Sequence, residues 1–475
     1  MPTIKEKYDV IIIGSGAAAC ATAIKCAQLG LAVLCIDNLA KEVGKKLMPG
    51  VFANDSRLET ITLLESAKIF GDLIHTFTEH GIYVENINLN LEQMMQRKNS
   101  IIAHINQYNY RKFAELGIDF INANAMLLAI DTVEITSISR KMPLKVFASH
   151  IILATEAIPI PIACAPIDNQ FIFDSAAALN LTEIPNRLAI IGAGVNGLEL
   201  AGIWNRLGSE TILLDAQESF LSLVDNQISR EAYKVFTEQG LELRLGARVL
   251  STKIINNKVH VEYQDNDGNH AIRVDKLIVA SGRKPNSSSL SSPEANLLLD
   301  DNNYVHVNEF CRTNLPNVYA IGDLTMLGPM LPQKGIAEGI FVSEQIAGFR
   351  GNAVNYHTIP NVIYTEPEIA WVGQTEQALK AKGDAIKVGI TPLNIFTQTK
   401  SVNKIHGLVK VIACAKTDVI KGIHIFASKA SELISEAALA MEFSSTTEDI
   451  ARTIHSHPSF SETIREACEK IKNNQ

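Results

Sequence analysis

The sequence predicts an α/β chain of two parallel, doubly wound units followed by a smaller α+β unit. Three observations carry that reading: a strand–glycine turn–helix–strand–acid unit written twice, an apolar strand returning after each copy, and a change of pattern near residue 350. A chain of 475 residues exceeds what one hydrophobic core serves, so about three domains are expected.

The first unit opens on YDVIII (8–13), a continuous apolar run suited to a buried parallel strand. Gly14, Gly16 and Ala19 follow in G-x-G-x-x-A spacing, ahead of a small-residue helix (AAACATAIKCAQLG) and a second strand, LAVLCI, ending at Asp37. Each has a mechanical role. Gly14 permits the tight turn, Gly16 lets the backbone approach a pyrophosphate, and Ala19 allows close helix–strand packing. The helix N-terminus favours phosphate, and Asp37 is placed to accept hydrogen bonds from a ribose. A lone fingerprint says little; strand, glycines, helix and acid in this order say much.

The unit recurs. RLAII (187–191) leads into Gly192, Gly194 and Gly197, then a helix, then ETILL ending at Asp215, and the glycine-to-acid interval is the same in both copies. Two dinucleotides are implied. Asp215 favours NAD over NADP, because a carboxylate repels a 2′-phosphate and Ala216 and Gln217 supply no arginine. IILATE (151–156), before the proline-dotted AIPIPIACAP, and LIVASG (277–282), before GRKPN, read as the returning strands and the crossovers between units. NVYAIGD (317–323) puts an aspartate just past a buried strand. Beyond about 350, strand-like NVIYTE, IAWVG, GLVKVIA and KGIHIF mix with helical SELISEAALAMEF, which indicates a separate α+β domain.

Composition excludes several classes. The chain is 47% apolar and 20% charged, with no biased tract. Its net charge of −8 argues against nucleic acid as a partner, since phosphate contact needs a basic face. The apolar run from Val10 to Ile36 is interrupted by Gly14, Gly16, Lys25 and Gln28, so neither a targeting peptide nor a membrane span is read there. Seven scattered cysteines (20, 26, 35, 164, 311, 414, 468) suit reduced thiols in a cytoplasmic protein. The histidines show no metal-ligand grouping, so no metal is expected.

With ATE near 155, GRKPN, YAIGD and a terminal HSHPSFSE added to the two Rossmann-like units, the chain resembles the class I pyridine nucleotide–disulfide oxidoreductases. Among them it is most similar to the dihydrolipoamide dehydrogenases, over nearly its whole length. The resemblance implies an FAD-binding domain (1–156 and 284–347) split around an NAD-binding domain (157–283), then an interface domain (348–475) forming a homodimer. Gly14, Gly16, Ala19, Asp37, Thr155 and Asp323 would hold FAD, with Met330, Leu331 and Gln333 beside its isoalloxazine. Gly192, Gly194, Gly197, Asp215 and Gly282 would hold NAD, with Glu199 near the nicotinamide. His457 and Glu462 match the family's acid–base dyad, which reaches across the dimer to a thiol. Ser459-x-x-Glu462 also reads as a capping box starting the last helix, and His457 as interface filling.

The sequence departs from the family in one region above all. The family carries two cysteines separated by four residues; the aligned positions here, in VGKKLMPGVF, are Lys46 and Val51, with Gly44 and Gly50 kept. A proline–serine–lysine run is replaced by Ala53, Asn54 and Asp55. Val43, Lys45, Glu156 and Gln333 replace a glycine, a threonine, the glycine of an ATG motif and a histidine. Disulfide reductases need a flavin-proximal disulfide, a role neither lysine nor valine fills. Glu156 and Asp55 add negative charge near the cofactor, which Lys45 and Lys46 offset. The expected activity is NADH oxidation through FAD with electrons passed directly to a small acceptor such as a quinone. The alternatives are a catalytically degenerate nucleotide-binding homologue with a regulatory role, a dihydrolipoyl dehydrogenase using another thiol such as Cys468, and a soluble transhydrogenase.

Overall fold

The computed structural model describes residues 4–37, 56–136, 142–395 and 406–473. VGKKLMPGVF, with Lys46 and Val51, lies outside the described residues, as do Ala53, Asn54 and Asp55. The chain divides into two compact units: Met1–Glu59, Arg97–Ile160 and Arg283–Tyr356 form one, and Thr60–Gln96, Pro161–Gly282 and His357–Gln475 the other. Residues 60–96 thus belong with the second unit, which also holds most of the segments expected as NAD-binding and interface domains.

The first unit is built on a seven-stranded sheet. Its parallel part runs Asp119–Asn122, Val33–Asp37, Lys7–Ile13, Leu144–Leu153. Leu144–Leu153 pairs antiparallel with Thr132–Thr136 near its start and parallel with Val318–Ala320 at its end. Val10 to Ile13 are fully buried, so consecutive residues are apolar because both faces of the sheet are covered. The helix after the first glycine turn, Ala17–Gln28, lies on this sheet and against the helix Pro332–Ile346. Small residues make that approach possible. A Cβ on Gly335 would come within 2.8 Å of Ala18 Cβ, and one on Gly339 within 1.9 Å of Thr22 Oγ1.

The second unit carries a five-stranded parallel sheet in the order Glu242–Leu245, Glu210–Asp215, Arg187–Ile191, Lys276–Val279, Ile172–Asp174. A three-stranded antiparallel sheet spans Arg248–Val274. The C-terminal sheet has five antiparallel strands, ordered Asn361–Ile363, Glu368–Gly373, Ile420–Ala427, Leu408–Cys414, Ile386–Pro392. Its outer cover includes Ala430–Glu442 and the terminal helix Glu462–Asn473, whose Ile464, Ala467, Cys468 and Ile471 enter the core. Gly389 lets that helix sit close, since a Cβ there would meet Ala467 O at 1.9 Å.

The nucleotide-type sheet and the C-terminal sheet share one hydrophobic core. Leu188, Ile190 and Leu213 of the former cluster with Ile369, Leu408 and Phe426 of the latter, and Phe236 meets Phe426 edge-on at 5.8 Å. A buried Lys410–Asp225 ion pair of 2.8 Å ties the C-terminal sheet to the N-cap of helix Asn226–Glu238. Among the described residues, no helix is long and apolar enough to cross a membrane, and no cluster of His, Cys, Asp or Glu is placed to hold a metal ion.

Candidate active site

At the first turn, strand Lys7–Ile13 ends at Gly14, whose φ of +134° is a conformation side-chain-bearing residues rarely adopt. A Cβ there would also lie 2.2 Å from Ala154 O, so the turn exists only because glycine lets the neighbouring strand's backbone pass this close. Gly16 is the N-cap of the helix in extended conformation, with no side-chain cap hydrogen bond. Ala19 is fully buried, as its packing role requires. Asp37 is buried at the end of its strand and accepts a 2.8 Å hydrogen bond from Ser15 Oγ, which ties the acid to the turn.

Thr155 Oγ1 donates to Asn286 O at 2.9 Å, and Asn286 N donates to Glu156 O at 3.1 Å. These bonds join the end of the returning strand to the second crossover, where Ala157–Pro159 pairs with Arg283–Pro285. The Glu156 side chain turns back onto the glycine turn: a Cβ on Gly16 would lie 2.2 Å from Glu156 Oε1. Asp323 forms an ion pair with Arg283 at 3.3 Å, and Arg283 Nη2 also donates to Ala157 O at 2.7 Å. Met330 and Leu331 are half-buried just ahead of helix Pro332–Ile346, while Gln333 is exposed on it.

Two residues that sequence reasoning missed hold Asp323 in place. Lys334 and Glu338 are both fully buried, and they grip the Gly322 peptide from both ends. Lys334 Nζ donates to Gly322 O at 2.8 Å and to Thr325 Oγ1 at 3.0 Å, while Gly322 N donates to Glu338 Oε2 at 2.7 Å. Tyr356 OH donates to the other Glu338 oxygen at 3.0 Å. Burial pulls the Lys334 ammonium down and pushes the Glu338 carboxyl up, and each charge counteracts the other's shift. The signal was a Lys–Glu pair at i,i+4 inside the otherwise apolar KGIAEGIFV.

The second turn repeats the first with its own fastenings. Gly192 has a φ of +102°, and a Cβ on it would meet Ala280 O at 2.5 Å. Gly197 presses on Gly192 O, which a Cβ would approach to 1.9 Å, whereas a Cβ on Gly194 would meet nothing within 4 Å. The Asp215 carboxylate accepts from Ala193 N at 2.7 Å and from Gln217 N at 2.9 Å, so it braces the turn. Glu199 is buried in helix Val195–Arg206 and accepts from Tyr364 N at 2.9 Å. Gly282, with a φ of +124°, is exposed after the returning strand.

His457 and Glu462 meet as the sequence predicts. His457 Nδ1 lies 3.0 Å from Glu462 Oε1, and its imidazole is 74% exposed. Ser459 N donates to Glu462 Oε2 at 3.0 Å, the carboxylate half of the capping box. The Ser459 N–H and then His457 hold the Glu462 carboxyl below the usual carboxylate range. The carboxylate therefore serves the helix and the histidine together.

All seven cysteines are free thiols. Cys20 Sγ donates to Ser15 O and Cys35 Sγ to Gly14 O, so both brace the first turn from inside the core. Burial pushes both thiols up, and likewise Cys26 to about 11, Cys311 to about 12, and Cys468. Cys414 goes the other way, to about 7, because the Thr417 hydroxyl and nearby backbone N–H groups stabilise its thiolate on the C-terminal sheet.

Two strand–glycine–helix turns with an acid fastened to each define a protein with two dinucleotide seats, and both backbones fit such a ligand. Residues 8–339 match the pyridine nucleotide-disulphide oxidoreductase family and residues 359–468 its dimerisation domain, and the chain belongs to this family. Members related to dihydrolipoamide dehydrogenase bind FAD and use NAD(H). The chain is 36% identical over 483 residues to a dihydrolipoyl dehydrogenase of Cupriavidus necator, covering 99% of both chains. It is 35% identical over 468 residues to dihydrolipoyl dehydrogenase 3 of Pseudomonas putida, covering 98% of both. In fold alone it resembles LpdA from Mycobacterium tuberculosis (TM-score 0.86, 23% identity, 98% of this chain and 100% of that one). The Cu(II) complex of the HOCl-induced flavoprotein disulfide reductase RclA from Escherichia coli is similar in the same sense (TM-score 0.85, 23% identity, 98% and 99%).

Proposed function

We propose that this protein is a homodimeric, cytoplasmic NADH oxidoreductase that passes electrons from its flavin straight to a small acceptor such as a quinone, without a redox disulfide. The carrying observation is the state of its sulfur. Lys46 and Val51 stand at the aligned cysteine positions, and five of the seven thiols are buried and pushed up, so they are poor sources of thiolate. Of the other two, Cys164 is half-buried with its Sγ on Val249 O, and Cys414 lies on the C-terminal sheet.

The domain roles follow the family: residues 1–156 and 284–347 for FAD, 157–283 for NAD, 348–475 for the dimer. Gly14, Gly16, Ala19, Asp37, Thr155 and Asp323 are assigned to FAD, with Met330, Leu331 and Gln333 at its ring. Gly192, Gly194, Gly197, Asp215, Gly282 and Glu199 are assigned to NADH. When bound, FAD supplies the exchange of an electron pair between NADH and the acceptor. The chain's own work is to seat and orient: Asp215 braces the NADH turn, and the Lys334–Glu338 grip on Gly322 fixes Asp323. His457, oriented by Glu462, is assigned as proton donor to the reduced acceptor.

A second reading has its own support, since the His457–Glu462 pair is the apparatus of a thiol-protonating dihydrolipoyl dehydrogenase. Steady-state turnover separates the two. NADH oxidation with a benzoquinone but none with lipoamide is expected; comparable turnover with lipoamide would reverse the assignment.

A further inference from the structure

The two glycine turns differ at the face of the glycine that caps the helix. Gly16 and Gly194 cap helices of 12 residues each, both in extended backbone conformation, without a side-chain cap bond and without an acid in the first turn. In front of Gly194 the space is open. In front of Gly16 lies the carboxylate of Glu156, whose Oε1 stands 2.2 Å from the position of a Cβ on that glycine. From this position the Glu156 charge, with that of Asp37, adds to burial in pushing up the thiol of Cys20 in the first turn of the helix.

This is the face through which the second glycine of the fingerprint admits a pyrophosphate. It is also the positive end of a helix, where the first N–H groups lack intrahelical partners and a carboxylate and a phosphate compete for the same field. We infer that Glu156 is a tethered anion that competes with the FAD pyrophosphate for the first turn, and so determines how tightly this chain holds its flavin. The inference rests on FAD occupying the first turn and is independent of which acceptor the enzyme uses.

The geometry suits a movable occupant. The main chain of Glu156 is pinned by Asn286 N, which donates to its carbonyl, and its neighbour Thr155 is pinned by Asn286 O. The carboxylate ends a side chain of three torsions, so a change of rotamer carries it away from Gly16. Binding FAD then requires moving one negative charge out of the seat as another enters. The cost falls on affinity, and no covalent change is involved. Among the described residues, the NADH turn has no such occupant at Gly194.

The test is equilibrium binding on the full-length chain stripped of flavin. FAD is titrated by fluorescence quenching into the wild type, Glu156→Gln and Glu156→Gly. Inorganic pyrophosphate serves as a probe of the seat itself, and NAD as a control at the second turn. Both variants are expected to bind FAD at least about tenfold more tightly, equivalent to about 1.4 kcal/mol or more. Pyrophosphate affinity should rise in parallel and NAD affinity stay unchanged. FAD binding that is unchanged or weaker in Glu156→Gln overturns the inference. So does tighter FAD binding with no change for pyrophosphate, because the effect would then lie elsewhere on the flavin. The Gln variant keeps the side chain's size, so it decides the matter if the Gly variant fails to fold, and no turnover measurement enters.

Discussion

The two glycine turns share one sequence pattern and are held in different ways. The second is braced locally: Asp215, at the end of the very next strand, accepts from Ala193 N of the turn and from Gln217 N just past its own strand. Asp37 is tied to the first turn through a serine hydroxyl. The first turn also leans on distant chain. Ala18 of its helix packs on Gly322 and Gly335, and Gly322 is gripped by buried Lys334 and Glu338. A repeated motif thus fixes the turn but not what stabilises it, and the two seats should respond differently to the same kind of change.

The largest difference should come from the long-range support. Glu338→Gln leaves Lys334 as a buried charge with its neutralising partner gone, at a cost of about 3–5 kcal/mol. Denaturant unfolding should show that loss, and flavin retention should fall before NAD affinity does. Asp215→Asn keeps one acceptor oxygen but loses the charge and the other acceptor, and should cost less, about 1–3 kcal/mol, with the loss read mainly in NADH affinity. If the two substitutions cost the same, the contrast between local and distant bracing fails.

Acid should also distinguish the units. Although burial opposes it, the Lys410 ion pair and the Gln227 N–H hold the Asp225 carboxyl below its usual 3.8. Its contribution is therefore present above that value and lost as pH falls through the depressed folded value. Glu338 in the first unit is raised by burial, so acidification removes no such support there. Asp225→Asn should flatten the fall of melting temperature below about pH 4. An unaltered acid limb would show that the ion pair between the C-terminal sheet and helix Asn226–Glu238 contributes nothing.

The smallest effects separate steric from ligand roles within each turn. Gly194→Ala puts a methyl group into open space at a negative φ, so stability should change by less than about 0.5 kcal/mol while NADH binding weakens. Gly197→Ala drives a methyl group into Gly192 O and should cost about 1–3 kcal/mol in the same melt. Equal melting temperatures for the two variants would contradict the close approach of Gly197 to Gly192.

What the sequence disclosed and what it hid follow from range. The strands, the glycine turns, both acids and the meeting of His457 with Glu462 were legible, because each is a pattern within a few dozen residues. The returning strands were legible as apolar runs before turn signals. Arg283 on Asp323, the Lys334–Glu338 grip and the Glu156 carboxylate on Gly16 were not, since each depends on where side chains from separate segments converge. Asp215 was read as favouring NAD over NADP, and the structure adds its hydrogen bond to the turn at Ala193 N. Residues 60–96 carry no motif that says which unit they join; their packing decides it, with Leu63, Leu64 and Ala67 in the core that also holds Trp204. The positions of Lys46 and Val51 were legible only against the family pattern.

The central claim is that electrons leave the flavin without passing through sulfur. Anaerobic titration of the flavin-loaded protein with NADH, followed by the flavin absorbance, tests it most directly. Full bleaching is expected after one NADH per flavin, with no thiols newly exposed to a thiol reagent. Uptake of a second NADH per flavin, with two thiols appearing, would reveal a hidden disulfide and contradict the proposal.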